Sequence, residues 1–420
     1  MQNDKRPHVL VIGGGAAGMM AAGAAIEAGA AVTVLEGGRR PGRKLAITGK
    51  GRCNVTNHCT PQEFLENVPR NPRFLYAAMA AFPPSATMAF FEGLGVPLKT
   101  ERGRRVFPQS DRAGDIVEAL VAYSRKAAWH FEKAEKLIKT GEGWAAHTAG
   151  GAYTADAVIL ATGGKSYPLT GSDGSGYALA ARLGHTITAL TPSLVPLTSP
   201  DADCRTLMGL ALKNVALRIL PRAGGKPLYE DFGEMLFTHF GLSGPMILSA
   251  SAHLRGVAVN QLVAEIDLKP ALDEKTLDAR LCSDFAKYAN RHFANALGDL
   301  LPAGLIPVMV RRCGIPAEKT VNSITREERK RLLACLKHFC IPLDGFRPIE
   351  EAIITSGGVE VKEVDPKTMM SKKCPGLFFA GEILDVDAYT GGYNLQIAFA
   401  TGVCAGRAAA NYRSHREEEI

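Results

Sequence analysis

The sequence contains no Cys-x-x-Cys pair and no His-rich spacing. Its nine cysteines, at 53, 59, 204, 282, 313, 335, 340, 374 and 404, are odd in number and scattered. That pattern argues against a disulfide framework and against a zinc site, and it suits a reducing compartment. A run of 18 or more apolar residues is also missing, so no membrane span is expected and the protein is read as cytoplasmic. Residues 5 to 26 imitate a signal peptide, with Lys5 and Arg6 before an Ala-rich run. Gly13-Gly14-Gly15 and Glu27 break that run in the manner of a strand, a turn and a helix. Internal repeats, low-complexity tracts and long linkers are absent. What remains is a globular chain of 420 residues, 46% hydrophobic and 22% charged. At that length it has room for about two to four domains. Lys and Arg number 49 against 42 Asp and Glu, a net charge of +7 that permits a polyanionic partner without requiring one.

The 44 glycines cluster with alanine, as tight helix-strand packing and phosphate loops require. His8 to Ile12 is a continuous apolar run of strand type. An Ala-rich helical stretch follows from Ala16 to Ala28, then a second strand from Ala31 to Leu35, which together make a βαβ unit. Helical patterns follow over 64–82, 85–94 and 113–128, and Ala157 to Leu160 reads as a further buried strand. From Leu194 to Leu268 partial period-two alternation predicts an antiparallel β domain. Residues 270–337 turn helical, with a capping box at Thr325 to Glu328. Strand and helix alternation resumes after Glu350, with a strand at Leu377 to Ala380 and a helix from Asn394 to Ala409. The tail after Tyr412 is charged and is expected to fray.

The chemistry starts at Gly13-x-Gly15-x-x-Gly18, directly after a strand and opening a helix. Gly13 permits the turn, Gly15 admits a pyrophosphate to the helix N-terminus, and Gly18 allows close helix-strand packing. Glu36, at the end of the second strand, can accept from ribose hydroxyls and is a poor neighbour for a 2′-phosphate, so the tightly held nucleotide is FAD or NAD rather than NADP. Ala161, Thr162 and Gly163 at one strand end, and Gly381 and Glu382 at another, are further cofactor contacts far along the chain, as an extended FAD needs.

The segments GRKLAITGKGRCNVTN (42–57), FTHFGLSGPMIL (237–248), TSGGVEV (355–361) and GLFFAGEILDVDAYTGGYNLQIAFATG (376–402) resemble the YhiN/BaiN-like family of FAD-dependent oxidoreductases over nearly the whole chain. The resemblance implies an α/β protein with a two-dinucleotide-binding, Rossmann-like FAD domain that is split in sequence (1–190 and 350–420). It also implies an inserted antiparallel β-barrel-like domain (191–268 and 338–349) and a small helical insert (269–337). It implies flavin or ribityl contacts from Thr48, Gly49, Gly51, Arg52, Cys53 and Asn54. Asp385, Gly392, Tyr393, Asn394, Gln396 and Ile397 are implied toward the ribityl-pyrophosphate and the pyrimidine edge. Ala16, Ala17, Gly37, Arg43 and Lys44 complete the expected cofactor set. Lys50, Met370 and Ala388 depart from the residues common in the family.

The segment from Ala161 to Gly174 is also similar to fumarate-reductase-type flavoproteins, which reduce activated C=C bonds. Such chemistry needs a proton donor opposite the flavin, and the candidates are His239, Cys53 and Tyr393. No second dinucleotide fingerprint follows residue 60, so NAD(P)H is expected as a transient electron donor near the flavin. The basic residues Arg39, Arg40, Arg43, Lys44, Lys50, Arg52, Arg102, Arg104 and Arg105 serve cofactor phosphates, solvent or a polyanion. Members of the resembled family are implied to make dihydrouridine in large-subunit ribosomal RNA, to reduce steroid-like enones or to oxidise amines. A flavoprotein that binds RNA without catalysis is the alternative from another class.

Overall fold

The computed structural model describes residues 6–141 and 143–412, so Lys5 and the charged tail beyond Tyr412 lie outside the described residues. The chain forms two compact units, one running to Ser193 and resuming at Pro348, the other spanning Leu194–Arg347.

The first unit is built on a five-stranded parallel sheet. In chain order its strands are β1 (His8–Ile12), β2 (Ala31–Leu35), β3 (Ala128–His130), β4 (Ala157–Leu160) and β5 (Leu377–Phe379), arranged β5-β4-β1-β2-β3. These strands are nearly all apolar because elements pack on both faces, as parallel sheets demand. Helix α1 (Ala16–Glu27) follows β1, and α2 (Tyr393–Ala410) returns from the far end of the chain to cross it. The crossing is close because a Cβ at Gly402 would stand 2.7 Å from the Ala17 carbonyl oxygen, and one at Gly406 would stand 2.3 Å from that of Ala21. A meander of Lys136–Thr140, Gly143–Thr148 and Gly151–Ala155 packs on β1 and β4 and buries Trp144.

The helical pattern over 64–82 is broken in the structure into Pro61–Glu66, Pro72–Leu75 and Tyr76–Ala81. Pro69 and Pro72 interrupt the backbone ladder, and Asn71 between them turns left-handed at φ 52°. The parallel strands and the two long helices otherwise follow the sequence periodicity closely.

The second unit carries a seven-stranded antiparallel sheet whose edge strands are Phe339–Pro342 and Gly345–Phe346. Two residues join these edges. Leu343 donates its N–H to Leu262 at 3.1 Å and Asp344 donates to Thr198 at 3.0 Å, so the sheet curls until its edges meet there, as in a barrel. The helices of 274–337 share one apolar core with this sheet, where Leu277, Met309 and Leu332 meet Leu217, Ile266 and Phe339. Strands and helices in this stretch thus form one unit. The capping box at Thr325 and Glu328 is present. Among the described residues no single helix is long and apolar enough to cross a membrane, and all nine cysteines are free.

Candidate functional site

Three strand ends on the carboxyl edge of the parallel sheet bring distant sequence together. Gly13 turns the chain out of β1 at φ 105°, and a Cβ there would meet the Ala161 carbonyl oxygen at 2.5 Å, so the loop after β4 seats directly against the glycine turn. A Cβ at Gly18 would lie 1.8 Å from the Gly13 carbonyl oxygen, which is why helix and turn close only with glycine at that position. At Gly381, after β5, the corresponding atom would sit 2.7 Å from the Ala17 Cβ. Gly13, Gly18, Ala17, Ala161 and Gly381 therefore converge, although more than 350 residues separate the first from the last.

The N-terminus of α1 has no side-chain cap, and a Cβ at Gly15 would meet nothing within 4 Å. The free N–H groups and positive dipole end thus face open space, the arrangement a pyrophosphate requires. Glu36 holds the glycine loop by accepting the N–H of Gly14 and of Gly38, both at 2.6 Å, and each oxygen retains a lone pair for a ribose hydroxyl. Beside it Trp129 and Phe131 stack at 6.3 Å, and the Trp129 ring lies 2.8 Å from where a Gly14 Cβ would stand. Sequence reasoning missed this aromatic wall, because strand β3 that carries Trp129 gave only a weak pattern. Gly37 is exposed against Lys133. Thr162 Oγ1 is buried without a hydrogen-bond partner among the described residues, an orphan polar atom at the edge of the cradle.

A half-buried ion pair backs the loop after β4. Lys44 Nζ donates to Glu382 at 2.7 Å and to Ser166 Oγ at 2.7 Å, and Glu382 also accepts the Thr355 N–H at 2.9 Å. Arg43 donates to the Leu169 carbonyl at 2.5 Å. Asp385 is fully buried and is held by Arg70 at 2.8 Å, a partner that no sequence signal identified.

The second helix terminus is also uncapped by a side chain: α2 begins after Gly392, at φ 97°. The Asn54 amide, oriented to satisfy its neighbours, accepts the Gly392 N–H at 3.0 Å and donates to the Thr56 and Val106 carbonyls. Asn394 clamps the preceding loop through Ala388, accepting its N–H at 2.9 Å and donating to its carbonyl at 2.7 Å. Gln396 is fully buried. Its Oε1 accepts from Thr56 and Thr87, each at 2.7 Å, and its Nε2 donates to the Phe82 carbonyl at 2.8 Å. Buried and held by these bonds, the Gln396 side chain braces the start of α2. Ile397 is buried beside it.

The proton-donor candidates separate. Cys53 is fully buried and left-handed at φ 58°, and burial pushes its thiol up to about 12. Tyr393, at the first turn of α2, packs on Phe64 at 5.4 Å, and burial pushes its phenol up to about 12. His239 belongs to the second unit, where it is exposed between Tyr229–Thr238 and Gly241–Ser243 with its ring against Phe240 at 5.0 Å.

The loop over 48–54 carries Cys53 and reaches the start of α2 through Asn54. Thr48 Oγ1 donates to the Leu45 carbonyl at 2.7 Å, and Gly49, Lys50, Gly51 and Cys53 are all left-handed. Arg52 donates to Glu101 at 2.5 Å and to Asp111 at 2.6 Å, and both carboxylates raise its already high pKa. Together the two helix ends without side-chain caps and Glu36 fit the pyrophosphate and ribose of FAD.

A model of the HI0933-like protein Rossmann domain matches residues 7–408. The chain belongs to the HI0933-like family. It is an FAD-dependent oxidoreductase of the Rossmann type. A relative in Clostridium scindens, named 3-dehydro-bile acid delta(4,6)-reductase, is 32% identical over 407 residues, covering 95% of this chain and 98% of the relative. The ribosomal RNA dihydrouridine synthase of Escherichia coli is 29% identical over 409 residues, covering 96% and 98%. Among solved structures, the 3-ketosteroid-delta4-(5alpha)-dehydrogenase of Rhodococcus jostii superposes with a TM-score of 0.47 at 18% identity, covering 97% of this chain and 98% of that one.

Proposed function

We propose that this HI0933-like protein is a cytoplasmic reductase that takes hydride from NAD(P)H and delivers it to an activated C=C bond, the substrate being uridine in large-subunit ribosomal RNA. The observation that carries this reading is a dinucleotide cradle and an exposed cationic rim within one unit. Lys50, Arg102 and Arg105 stand exposed around the loops that adjoin the start of α2. A neutral enone offers these cations nothing to pair with and a bile acid a single carboxylate, whereas a polynucleotide presents a run of phosphates. The E. coli relative, a ribosomal RNA dihydrouridine synthase, supports the same substrate.

FAD, when bound, supplies hydride transfer to the alkene carbon. The protein residues do the rest. The N-terminus of α2 stabilises negative charge that develops nearby. Tyr393 Oη or Cys53 Sγ holds the proton destined for the other alkene carbon. The base has to leave its stack to reach such a site. The bile-acid reductase relative favours a second reading, in which the substrate is a small conjugated enone.

The deciding measurement is dihydrouridine in large-subunit ribosomal RNA from cells lacking the gene and from the complemented strain. Loss and restoration are expected. Unchanged dihydrouridine would transfer the assignment to the enone.

A further inference from the structure

The nine basic residues singled out in the sequence do not behave alike. Four are committed: Arg43 to the Leu169 carbonyl, Lys44 to Glu382, Arg52 to Glu101 and Asp111, and Arg104 to Glu63. Lys50, Arg102 and Arg105 are exposed and have no acidic partner among the described residues. They come from two loops about 50 residues apart, and the structure joins these loops at one place. Arg52 stacks on the Phe107 ring at 4.2 Å and Arg105 approaches the same ring at 5.8 Å. Arg52 also reaches across to Glu101, and Arg105 Nε donates to the Arg102 carbonyl at 3.0 Å. Asn57 then ties the second loop to the start of α2, donating to the carbonyls of Gly103 at 3.0 Å and Gly391 at 3.1 Å.

The backbone of this rim is strained. Lys50 (φ 60°), Cys53 (φ 58°), Arg104 (φ 58°) and Asp111 (φ 57°) are all left-handed without being glycine. Lys50 is the most telling, because it lies between Gly49 and Gly51, in a conformation that a third glycine would adopt freely. Such strain persists where the side chain is needed.

We propose that the rim formed by residues 48–52 and 101–105 docks the phosphodiester backbone of single-stranded RNA beside the base being reduced. Arg52, Phe107 and Asn57 act as the buttress, and Lys50, Arg102 and Arg105 make the phosphate contacts. The assignment rests on the RNA reading above and adds to it the surface that holds the strand.

The test uses FAD-loaded protein, a 12-nucleotide oligouridylate and a salt titration of binding. Lys50→Gly removes a cation and relieves the left-handed strain, so its Tm is expected to equal or exceed that of the wild type. Its affinity for oligouridylate is expected to fall several-fold, with a salt slope shallower by about 0.7. Neutralising Arg102 and Arg105 to Gln as well should lower the slope by about 2 in total. Arg39→Gln with Arg40→Gln, exposed on another loop, serves as the comparator and is expected to change the slope less per charge removed.

Equal losses from rim and comparator would overturn the proposal, since only net charge would then matter. So would unchanged oligouridylate binding accompanied by a raised KM for NADPH, which would give the rim to the dinucleotide. Failure of the RNA reading looks different: the wild type binds oligouridylate through the rim, but cells lacking the gene keep their ribosomal dihydrouridine.

Discussion

Tyr393 and Cys53 share a titration range, because burial holds both groups protonated until the pH approaches about 12. A pH profile of flavin reoxidation between 6 and 9 is therefore expected to be flat with respect to either donor, and substitution has to tell them apart. Tyr393 is the better placed, because it stands at the first turn of α2 with a little of its surface exposed, whereas Cys53 has none. Tyr393→Phe is expected to keep FAD and to slow reoxidation of the reduced flavin by substrate about 100-fold, the scale of a lost general acid. Cys53→Ala is expected to stay within a few-fold of wild type. Stopped-flow absorbance of the flavin checks both, and the reverse ranking would make the thiol the donor. At this scale the sequence was informative about residue type and silent about commitment. Gln396 and Asn394 looked like ligands of a cofactor, yet their amides are spent on Thr56, Thr87 and Phe82 in one case and on Ala388 in the other.

Among the elements, the contact between α1 and α2 governs the cradle, since both helices point an uncapped N-terminus at the same edge of the sheet. Their closeness depends on Gly402 and Gly406 facing Ala17, Ala21 and Ala24. Gly406→Val would drive a branched side chain into the Ala21 backbone and is expected to cost about 1–3 kcal/mol by overpacking. Part of that cost should appear as weaker FAD retention, because displacing α2 moves Gly392 away from Asn54. Thermal melting with and without added FAD, together with a count of bound flavin, measures it. A variant with unchanged Tm and full flavin would show that the crossing tolerates a larger side chain than the 2.3 Å approach at Gly406 allows. The βαβ unit and α2 were legible because each keeps one period unbroken, and β4 and β5 because each is a short, wholly apolar run. The helical pattern expected over 64–82 is three short helical segments in the structure, because the apolar spacing continues across Pro69 and Pro72 and only the prolines mark the breaks.

The described residues form two apolar cores, one around the parallel sheet and one around the antiparallel sheet with its helices. The cradle residues lie in the first unit alone, so FAD binding is expected to stabilise that unit selectively. Calorimetry of apoprotein is expected to show two transitions, of which one rises with FAD, by about 2.7 kcal/mol at a hundred times the dissociation constant. A single transition that shifts as a whole would show that the units unfold together.

The sequence by itself determined the cofactor class. A glycine turn after a buried strand and an acid at the end of the next are local features, fixed by backbone sterics and by the spacing of one βαβ unit. It also marked the strands and helices whose period is unbroken. Tertiary structure alone decided which charges are free and which are spent. Ion pairs such as Lys44 with Glu382 and Arg52 with Glu101 join residues that only folding brings within hydrogen-bond reach. The same holds for the cationic rim, which exists because Phe107 and Asn57 gather two loops that lie about 50 residues apart in the chain.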